Sequence, residues 1–453
     1  MRTGIRFQPT AASVLVSVLW VLAILSLIVV GAIYSANLDL KLGKHHGDRI
    51  QARYLALAGI EKAKALLFQD LKDRRAGGQN HTGQLYDNPE AFRDITFGRG
   101  QFRVFHGGDN DTGQNRVYGV LDEERYLNFN TISPAELTKL PNLPPEIAAA
   151  ITDYRDPDST VTPGGAEYDD YATQRPPSVP RDGPFRTLGE LQLVLGISRQ
   201  DLLGEDTNLN GLLDPEENDG ELFQPPDNQD GRLDRGWLAH ASLFSSVQNL
   251  NAKGESRINA QTAGEARLQT ISGITSDIAK AITEYRQENE FKSVVDLLEV
   301  RRMTSGNSNG TGSRSSRKSP TGSPLIDRDL FREIADSLTV VDEQTLPGRV
   351  NVNTASLPVL LCLPGLTDET LANAIIAHRS SSGFFQSVAD LLDVPGMTEA
   401  VLKQMEPRLT TRSETFRITS EGRVTSTGAR ALLQLTVRVG PTAIETLAYR
   451  EDL

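Results

Sequence analysis

The sequence has almost no cysteine, since Cys362 is the only one in 453 residues. A single cysteine excludes any disulfide within the chain. It lies in the apolar run PVLLCLPG, where a buried structural thiol is expected rather than a redox centre. A chain of this length is long enough for two to four domains, each able to bury its own core.

The chain also lacks a net positive charge, because 59 acidic residues outnumber 47 basic ones and the formal net charge is −12. This balance opposes broad electrostatic binding to nucleic acid. Catalytic patterns are missing as well. The 6 histidines form no ligand pair beyond His45 and His46, and no nucleophile motif or phosphate loop is present. The sequence therefore does not favour an enzyme.

The N-terminus contains a long apolar run. No charged residue occurs from Ala11 to Ala36, and at about 1.5 Å per residue a helix over this run spans roughly 39 Å, enough to cross a bilayer core. Arg2 and Arg6 precede it, so the positive-inside bias places the N-terminus in the cytoplasm and the bulk of the chain outside it. The alternative is a cleaved secretory signal, but its apolar core is usually about 7 to 15 residues long. A retained anchor is favoured.

The helix is expected to continue beyond the membrane. One apolar face is predicted from residues that recur every three or four positions: Ile50, Tyr54, Leu57, Ile60, Ala63 and Leu67. This pattern predicts a long helix, half in lipid and half packed on a soluble domain.

Strand patterns lie on both sides of the middle region. GQFRVFHG (100–107) and RVYGVLDEERYLNF (116–129) predict one hairpin, TFRITSEGRV and ALLQLTVRVG predict another, and IETLAYRED predicts a last strand. The predicted fold class is α+β, with a long N-terminal helix on an antiparallel sheet and a large inserted helical domain. The predicted boundaries are 1–12 for a leader, 13–75 for the helix, 76–130 and 412–453 for the two parts of the sheet, and 131–411 for the inserted domain.

The inserted domain contains one unit used three times. LNFNTISPAELTKLPNL, INAQTAGEARLQTISGI and VNVNTASLPVLLCLPGL place Asn128, Asn259 and Asn351 each 14 residues before a turn position. Each copy continues with an Ala-rich helix that ends in an aromatic residue or His followed by Arg, and then with a Phe-led second element. The repeats are predicted at about 127–200, 257–303 and 349–411, and they resemble helix-hairpin-helix or SAM-like modules.

Modules of this kind often bind DNA by pointing hairpin backbone amides at phosphates. The first copy lacks the hairpin glycine, and residues 127–200 hold 6 basic and 10 acidic residues, which leaves a phosphate site short of counter-charge. A scaffold is therefore favoured over a DNA reader. Asn130, Thr131, Asn353 and Thr354 are expected to cap the helices that follow them.

A Gly-, Ser- and Asn-rich loop is predicted to be disordered at 301–322. Its residues 301–320 carry five basic and no acidic side chains. A solvated linker is the first interpretation of this loop, and a docking segment for an acidic partner is the alternative.

An acidic loop at 204–237 fits the calcium pattern D-x-[DN]-x-[DN]-G-x5-E, which needs oxygen ligands at positions 1, 3, 5, 7, 9 and 12 and glycine at position 6. These ligand positions hold Asp206, Asn208, Asn210, Leu212 through its carbonyl group, Asp214 and Glu217, and Gly211 stands at position 6. Residues 201–240 contain 11 acidic and 2 basic side chains, a density that repels itself unless a cation neutralises it. Ca²⁺ is favoured over a plain acidic loop, and also over Mg²⁺, which uses fewer protein oxygens.

A second acidic cluster follows within the same loop, with Asp227, Asp230 and Asp234 around Gly231. Pro226 stands where the first ligand of a second calcium loop belongs. The cluster is interpreted equally well as a source of ligands for a second ion or as a turn. Outside the cytosol an occupied site is expected to be structural rather than a switch.

The order of these parts resembles the family of minor pseudopilin K of the type II secretion system, also called general secretion pathway protein K. The resemblance covers nearly the whole chain: a short basic leader, the apolar helix, YLALAGIEKA, the segment LNFNTISPAELTKLP, a large helical insertion, VNVNTASLPVLLCLPGL and a terminal strand pair. It implies a pilin-like core, calcium bound in the insertion and no catalytic activity. It also implies a tip complex with minor pseudopilins I and J, which starts and caps the periplasmic pseudopilus.

The resemblance further implies an inner-membrane, single-pass protein that meets the major pseudopilin and is cut by prepilin peptidase. Precursors of this type are normally cut after glycine, whereas Ala12 precedes Ser13 at this place, so cleavage between Ala12 and Ser13 is expected. Ser17 stands where mature pilins carry a glutamate, which fits a subunit with no subunit above it. A membrane-anchored helix-hairpin-helix DNA receptor of the competence type is the alternative function.

Overall fold

The computed structural model describes residues 10–80, 82–109, 113–220, 222, 224–305 and 318–451. Its first element is a single helix, α1 (Thr10–Gly77). By length and composition, Val14–Gly77 could cross a membrane, and the apolar side chains of its first half are exposed. The prediction of one helix that runs from the apolar segment into the folded part is confirmed. Ala12 and Ser13 lie within α1, and the first nine residues of the expected leader lie outside the described residues.

The face of α1 that packs on the sheet differs from the predicted face at its start. The last three predicted positions are buried, but Ile50 and Tyr54 are 43% and 64% exposed, whereas Ala52 and Ala56 are fully buried. The reason is a close approach of helix and sheet. A β-carbon on Gly59 would lie 2.2 Å from a side-chain oxygen of the facing strand, so the contact selects small residues rather than large apolar ones.

A six-stranded antiparallel sheet lies against α1. Its strands are β1 (Ile95–Phe97), β2 (Gly100–Val104), β3 (Leu121–Asp122), β4 (Thr415–Val424), β5 (Arg430–Val439) and β6 (Ile444–Glu451). The order is β1–β2–β4–β5–β6, and β3 also pairs with β4. Because β2 pairs with β4, segments from before and after the inserted domain form one sheet. The predicted α+β fold, a long helix on an antiparallel sheet with a helical insertion, is confirmed.

The two predicted hairpins have different outcomes. The second is confirmed, because β4 pairs with β5 along its whole length, and the last strand, β6, follows. The first prediction is wrong about the partner of 100–107. In that segment β2 pairs with β1 and β4, and only His106–Gly107 pairs with the next strand, Arg116–Val117. The ten-residue strand β4 offers a longer ladder and a face buried against α1, and this outweighs the local hairpin.

The inserted domain consists of three units, each closed by a parallel pair of two-residue strands. The pairs are Leu127–Asn128 with Ala241–Ser242 in unit 1 (127–242), Ile258–Asn259 with Leu338–Thr339 in unit 2 (258–339), and Val350–Asn351 with Leu409–Thr410 in unit 3 (350–410). One apolar core runs through all three units. A short antiparallel pair, Ser246–Gln248 with Thr345–Pro347, bridges the segments between them.

The helices of the units are short, and several are 3₁₀ helices. Unit 1 contains Pro134–Leu137, Pro145–Arg155, Tyr168–Ala172, Leu188–Leu193, Arg199–Leu203, Pro215–Glu217 and Trp237–His240. Unit 2 contains Glu265–Leu268, Ser276–Glu288, Val294–Glu299, Arg328–Ile334 and Ala335–Ser337. Unit 3 contains Leu357–Cys362, Glu369–Ser381, Val388–Asp393, Glu399–Met405 and Glu406–Arg408. The remaining short helix, Pro89–Phe92, precedes β1.

The first two units extend beyond the predicted repeat ends, at 200 and 303, to reach their closing strands. In both units an insertion separates the repeat motif from the closing strand: the acidic loop in unit 1 and the basic segment in unit 2. The prediction of disorder throughout 301–322 is wrong at both ends, because Arg302–Ser305 pairs with Lys318–Thr321 as antiparallel strands. Residues 306–317 lie outside the described residues.

The same internal contacts recur in each unit. The arginine that the sequence places near the end of the Ala-rich helix donates to two backbone carbonyl groups about 25 residues earlier: Arg155 to Phe129 and Ile132, Arg286 to Ala260 and Ala263, and Arg379 to Val352 and Ala355. The ring before each arginine stacks on the phenylalanine of the second element, in the pairs Tyr154–Phe185, Tyr285–Phe291 and His378–Phe385. These contacts explain the repeated sequence pattern as a structural one.

Two of the residues expected to cap helices, Asn130 and Asn353, have another role in the structure. Asn130 and Asn353 exchange two hydrogen bonds with the backbone of Phe185 and Phe385, and so hold the second element against the start of the unit. The cap of the first helix of unit 1 is instead Ser133, which forms a capping box.

Candidate metal-binding loop

The acidic loop of unit 1 is coiled rather than extended. Asp206 accepts hydrogen bonds from the backbone amides of Asn210 and Gly211, at 3.0 and 2.9 Å. The side-chain amides of Asn208 and Asn210 both donate to one carboxylate oxygen of Asp214, at 3.0 and 2.8 Å. Gly211 has φ +71°, the conformation that the calcium pattern requires of its sixth position.

Glu217, at the twelfth position of the pattern, folds back over the loop. Its carboxylate accepts from the backbone amides of Thr207 and Asp214, at 2.8 and 3.1 Å, and from the Thr207 hydroxyl group at 3.0 Å. The structure therefore brings together the side chains of Asp206, Asn208, Asn210, Asp214 and Glu217 within one turn of chain. The sixth predicted ligand is the backbone carbonyl group of Leu212, which follows Gly211 in the same loop.

Two of these carboxylates are buried, and the charge of Arg235 acts on one of them, Asp206. Asp206 and Glu217 are 2% and 3% exposed, and they accept hydrogen bonds from backbone amides and, at Glu217, from one hydroxyl group. Burial raises the pKa of Asp206 and of Glu217 above its ordinary value. Buried carboxylates of this kind are stabilised by a bound cation, so the donor set fits an oxygen-binding ion such as Ca²⁺.

The carboxylates are not gathered at one point. Among the described residues, no group of three or more His, Cys, Asp or Glu side chains is close enough to hold a metal ion by itself. The loop instead mixes carboxylate, amide and backbone oxygens, which is the mixture that Ca²⁺ uses in 12-residue loops.

The second acidic cluster repeats part of the first. The Asn228 amide donates to Asp234 at 3.1 Å, as the Asn208 amide does to Asp214. Glu205 then takes the part that Glu217 plays in the first loop, because its carboxylate accepts from the backbone amides of Asn228 and Asp234, at 3.2 and 3.0 Å. Sequence reasoning missed Glu205, since it precedes the first motif and is far in sequence from the second. Burial raises its pKa as well.

The two remaining residues of the predicted set lie at the edge of this cluster. Asp227 accepts from the backbone amides of Asp219, Gly220 and Gln229, at 2.6 to 2.8 Å. Asp230 accepts from the backbone amide of Arg232 at 2.8 Å. Both side chains shape the turn, and the structure places Asp230 nearer to the surface than Glu205.

The acidic loop lies beside the sheet, and a cavity of about 480 Å³ lies between them. The lining of this cavity includes His106, Arg125, Asp206 and His240. Burial, together with the nearby guanidinium groups of Arg235 and Arg125, lowers the pKa of His240 to about 4. The cavity therefore contains a neutral imidazole near ambient pH, and its lining includes Arg125, which follows β3, and Arg235, which belongs to the acidic loop.

A buried acidic segment joins the units to the sheet. Glu123 accepts from Arg417 of β4 at 2.6 Å and from the Ser242 hydroxyl group at 2.6 Å. Glu124 accepts from the backbone amides of Ser246 and Thr415. Neither glutamate is exposed. Sequence reasoning treated this stretch only as part of a strand, because the charged residues gave no sign of burial.

Two family models match parts of the inserted domain. The model described as "Type II secretion system (T2SS), protein K" matches residues 135–203, and the model "Helix-hairpin-helix motif" matches residues 253–307 and 348–410. The resemblance to type II secretion protein K and the helix-hairpin-helix character expected from the sequence are thus confirmed for these parts of the chain.

Curated proteins are similar to parts of this chain. A protein of Rattus norvegicus named endonuclease/exonuclease/phosphatase family domain-containing protein 1 is 30% identical over 234 residues, which are 48% of this chain and 38% of that protein. A Neisseria meningitidis protein is 41% identical over 73 residues, 16% of this chain and 10% of that protein. The chain therefore spans less than two fifths of the length of these curated relatives.

Among solved structures, the GspK-GspI-GspJ complex of the enterotoxigenic Escherichia coli type 2 secretion system contains a similar chain. The match has 14% sequence identity and a TM-score of 0.39, and it covers 91% of this chain and 99% of that chain. A TM-score below 0.5 does not establish a common arrangement of the two whole chains.

Proposed function

We propose that this chain is a non-catalytic minor pseudopilin of a type II secretion system, of the K type. The observation that carries the proposal is the joint sheet of β2 and β4, which leaves residues 127–410 as one insertion on a helix-and-sheet stem. The match to type II secretion protein K lies inside that insertion. Outside that segment, the resemblance to the family lies in the order of the parts along the chain.

In this proposal the chain forms the tip of the periplasmic pseudopilus, together with minor pseudopilins of the I and J types. The insertion is broad compared with the single helix α1, so a subunit above it would meet the insertion rather than the stem. The major pseudopilin is then the partner below. Co-expression of the full tagged chain with I- and J-type pseudopilins in membranes tests this. We expect the three to copurify from detergent, and recovery of the tagged chain alone would contradict the proposal.

Anchoring and processing belong to the same proposal. The apolar first half of α1 supports a single inner-membrane pass, with the N-terminus in the cytoplasm and the folded part in the periplasm. Prepilin peptidase would cut between Ala12 and Ser13. Mass measurement of the N-terminal peptide from membranes with and without the peptidase tests this site, and an uncut peptide in both would refute it.

Calcium is the proposed ion of the acidic loop. Asp206, Asn208, Asn210, Asp214, Glu217 and the carbonyl group of Leu212 would hold it, and an occupied loop would neutralise the buried carboxylates. In the second cluster, Glu205 joins Asp234 as the source of ligands for a second ion, and Asp227 and Asp230, which shape the turn, lie at its edge. The role of the ion is structural in this proposal, because the site would be filled at extracellular calcium levels.

A DNA receptor is the second candidate, and the helix-hairpin-helix models favour it. Two observations weigh against it. The repeated arginines Arg155, Arg286 and Arg379 are committed to carbonyl groups inside their own units, and the chain carries a net charge of −12. DNA binding that weakens steeply as salt rises would favour the receptor, whereas no binding at low salt is expected of a tip subunit.

A further inference from the structure

The acidic loop of unit 1 is hydrogen-bonded through its backbone to the segment that follows β2. The Gly107 amide donates to the carbonyl group of Asn210 at 3.0 Å, and the Leu213 amide donates to the carbonyl group of Gly113 at 2.9 Å. Arg235 bridges the same two segments, since its guanidinium group donates to Gly108 at 2.6 Å and to Gly211 at 3.2 Å. We call this contact of Gly107, Gly108 and Gly113 with Asn210, Gly211 and Leu213 the joint.

Residues of the joint alternate with the proposed ligands along the loop. Asn210 offers its side chain to the ion and its carbonyl group to the sheet segment. The Leu212 carbonyl group, the proposed backbone ligand, lies between Gly211, which packs closely on Gly107, and Leu213, whose amide donates to Gly113. Because these residues are consecutive, a change in where the Leu212 carbonyl group points also moves the atoms that form the joint.

The joint is a contact of backbone with backbone. A β-carbon on Gly107 would lie 2.2 Å from the carbonyl oxygen of Gly211, and one on Gly113 would lie 2.6 Å from the amide of Leu213. The atoms that face Gly107 are backbone atoms of Gly211, and Arg235 bridges the same segments, so there is little room to absorb a shift. The two backbones therefore move together or separate.

The sheet side of the joint continues directly into the stem. Phe105 donates from its amide to Thr419 of β4 at 3.0 Å, and β2 pairs with β4 and faces α1. The joint therefore connects the loop to the layer that carries the long helix.

We propose that a cation bound in the acidic loop stabilises the joint. Calcium binding in the inserted domain then orders residues 105–109 at the end of β2 and fixes the insertion to the stem. This inference rests on the proposed function, which places the cation in the loop. Linkage requires the converse as well: a formed joint raises the affinity of the loop for calcium.

The test uses the full chain in detergent and two variants that replace no proposed ligand. Gly107→Ala places a methyl group against Gly211, and Arg235→Lys replaces the guanidinium nitrogen that donates to both Gly108 and Gly211 by an ammonium group on a shorter side chain. Gly183→Ala is the matched control, because its β-carbon would meet only one atom, 3.9 Å away. Calcium affinity is measured by isothermal titration calorimetry, and amide hydrogen exchange is followed in peptides that contain 105–109. Circular dichroism identifies any variant that fails to fold, in which case Arg235→Lys replaces Gly107→Ala.

We expect calcium to slow exchange in 105–109 in the wild-type chain and in Gly183→Ala, but not in Gly107→Ala. The two joint variants should bind calcium at least about fivefold more weakly than the wild-type chain, because about fivefold is the lower end of typical coupling between two sites. If the wild-type chain binds calcium with no change in exchange at 105–109, the inference is overturned while the calcium proposal stands. If the wild-type chain binds no calcium, the calcium proposal fails and the inference fails with it.

Discussion

Units 1 and 3 share one frame and differ in what separates the last helix from the closing strand. In unit 3 the helix Glu399–Met405 is followed closely by the strand Leu409–Thr410, whereas in unit 1 residues 204–240 lie between Arg199–Leu203 and Ala241–Ser242. The parallel strand pair is nevertheless the same in both. Because the entropy of closing a loop grows slowly with its length, a unit closed by its strands tolerates a long insertion at this place.

The two units differ in how they satisfy their buried polar groups. Unit 3 pairs Asn351, Asn353 and Arg379 with groups of the chain itself. Unit 1 keeps this frame but adds the buried carboxylates of Asp206 and Glu217, which accept from backbone amides and one hydroxyl group. Unit 3 is therefore expected to need no cation for its buried polar groups, and unit 1 is expected to depend on one.

The largest effect should come from removing that cation. At a calcium concentration a thousand times the dissociation constant, binding adds about 4 kcal/mol to the stability of the folded state. Chelation should therefore lower the melting temperature of the full chain and speed hydrogen exchange in 204–217, with little change in 350–410. Glu217→Gln should remove the calcium response. The exposed neighbour Glu216 provides the control, since Glu216→Gln should respond as the wild-type chain does, and a melting temperature that ignores the chelator would contradict this difference between the units.

A smaller loss is expected in unit 3 from Arg379→Ala. The substitution leaves the carbonyl groups of Val352 and Ala355 without their donor, and hydrogen bonds from a charged group contribute about 1.5 to 3 kcal/mol each. We expect a loss of about 3 kcal/mol in urea denaturation, equal with and without calcium. Arg267→Ala changes an exposed arginine and should cost little. An Arg379→Ala chain as stable as that control would show that the repeated arginine does not hold the unit together.

Much of this comparison was predictable from the sequence. The spacing of Asn128, Asn259 and Asn351 reveals the three units, because a repeated frame needs the same residues at the same separations. The acidic pattern at 206–217 likewise predicts a coiled loop, since its ligand and glycine positions are fixed by local geometry. These features depend on contacts between residues that are close in sequence or repeated.

The remaining features depend on contacts between distant residues, which local patterns do not encode. The closing strands are two residues long and have no signal of their own. Glu205 completes the second cluster only in space, and the small face of α1 at Ala52 and Ala56 reflects the approach of β4 from the far end of the chain. Large exposed residues at Ile50 and Tyr54 gave the stronger periodic signal, and it was misleading.

The smallest expected effect concerns the junction that both units share with the sheet. Glu124 is fully buried there. Its backbone carbonyl group accepts from Asn351 of unit 3 at 2.7 Å, and its side chain accepts from Ser246, just after unit 1, at 3.3 Å. Burial, and then the neighbouring charge of Asp122, raise the pKa of Glu124 well above its ordinary value of 4.5.

An acid with a higher pKa in the folded chain binds more protons there than in the unfolded chain, so its contribution to stability is complete at low pH. That contribution is lost as pH rises from about 4.5 through the folded pKa. Glu124→Gln keeps the neutral shape and should flatten this decline, by on the order of 1 kcal/mol, when urea denaturation is compared between pH 5 and pH 9. Glu343→Gln removes an exposed charge and should leave the decline as it is. Parallel pH curves for the wild-type chain and Glu124→Gln would mean that the Glu124 carboxyl group is not protonated at the junction of units 1 and 3. The two units would then differ only in the acidic loop.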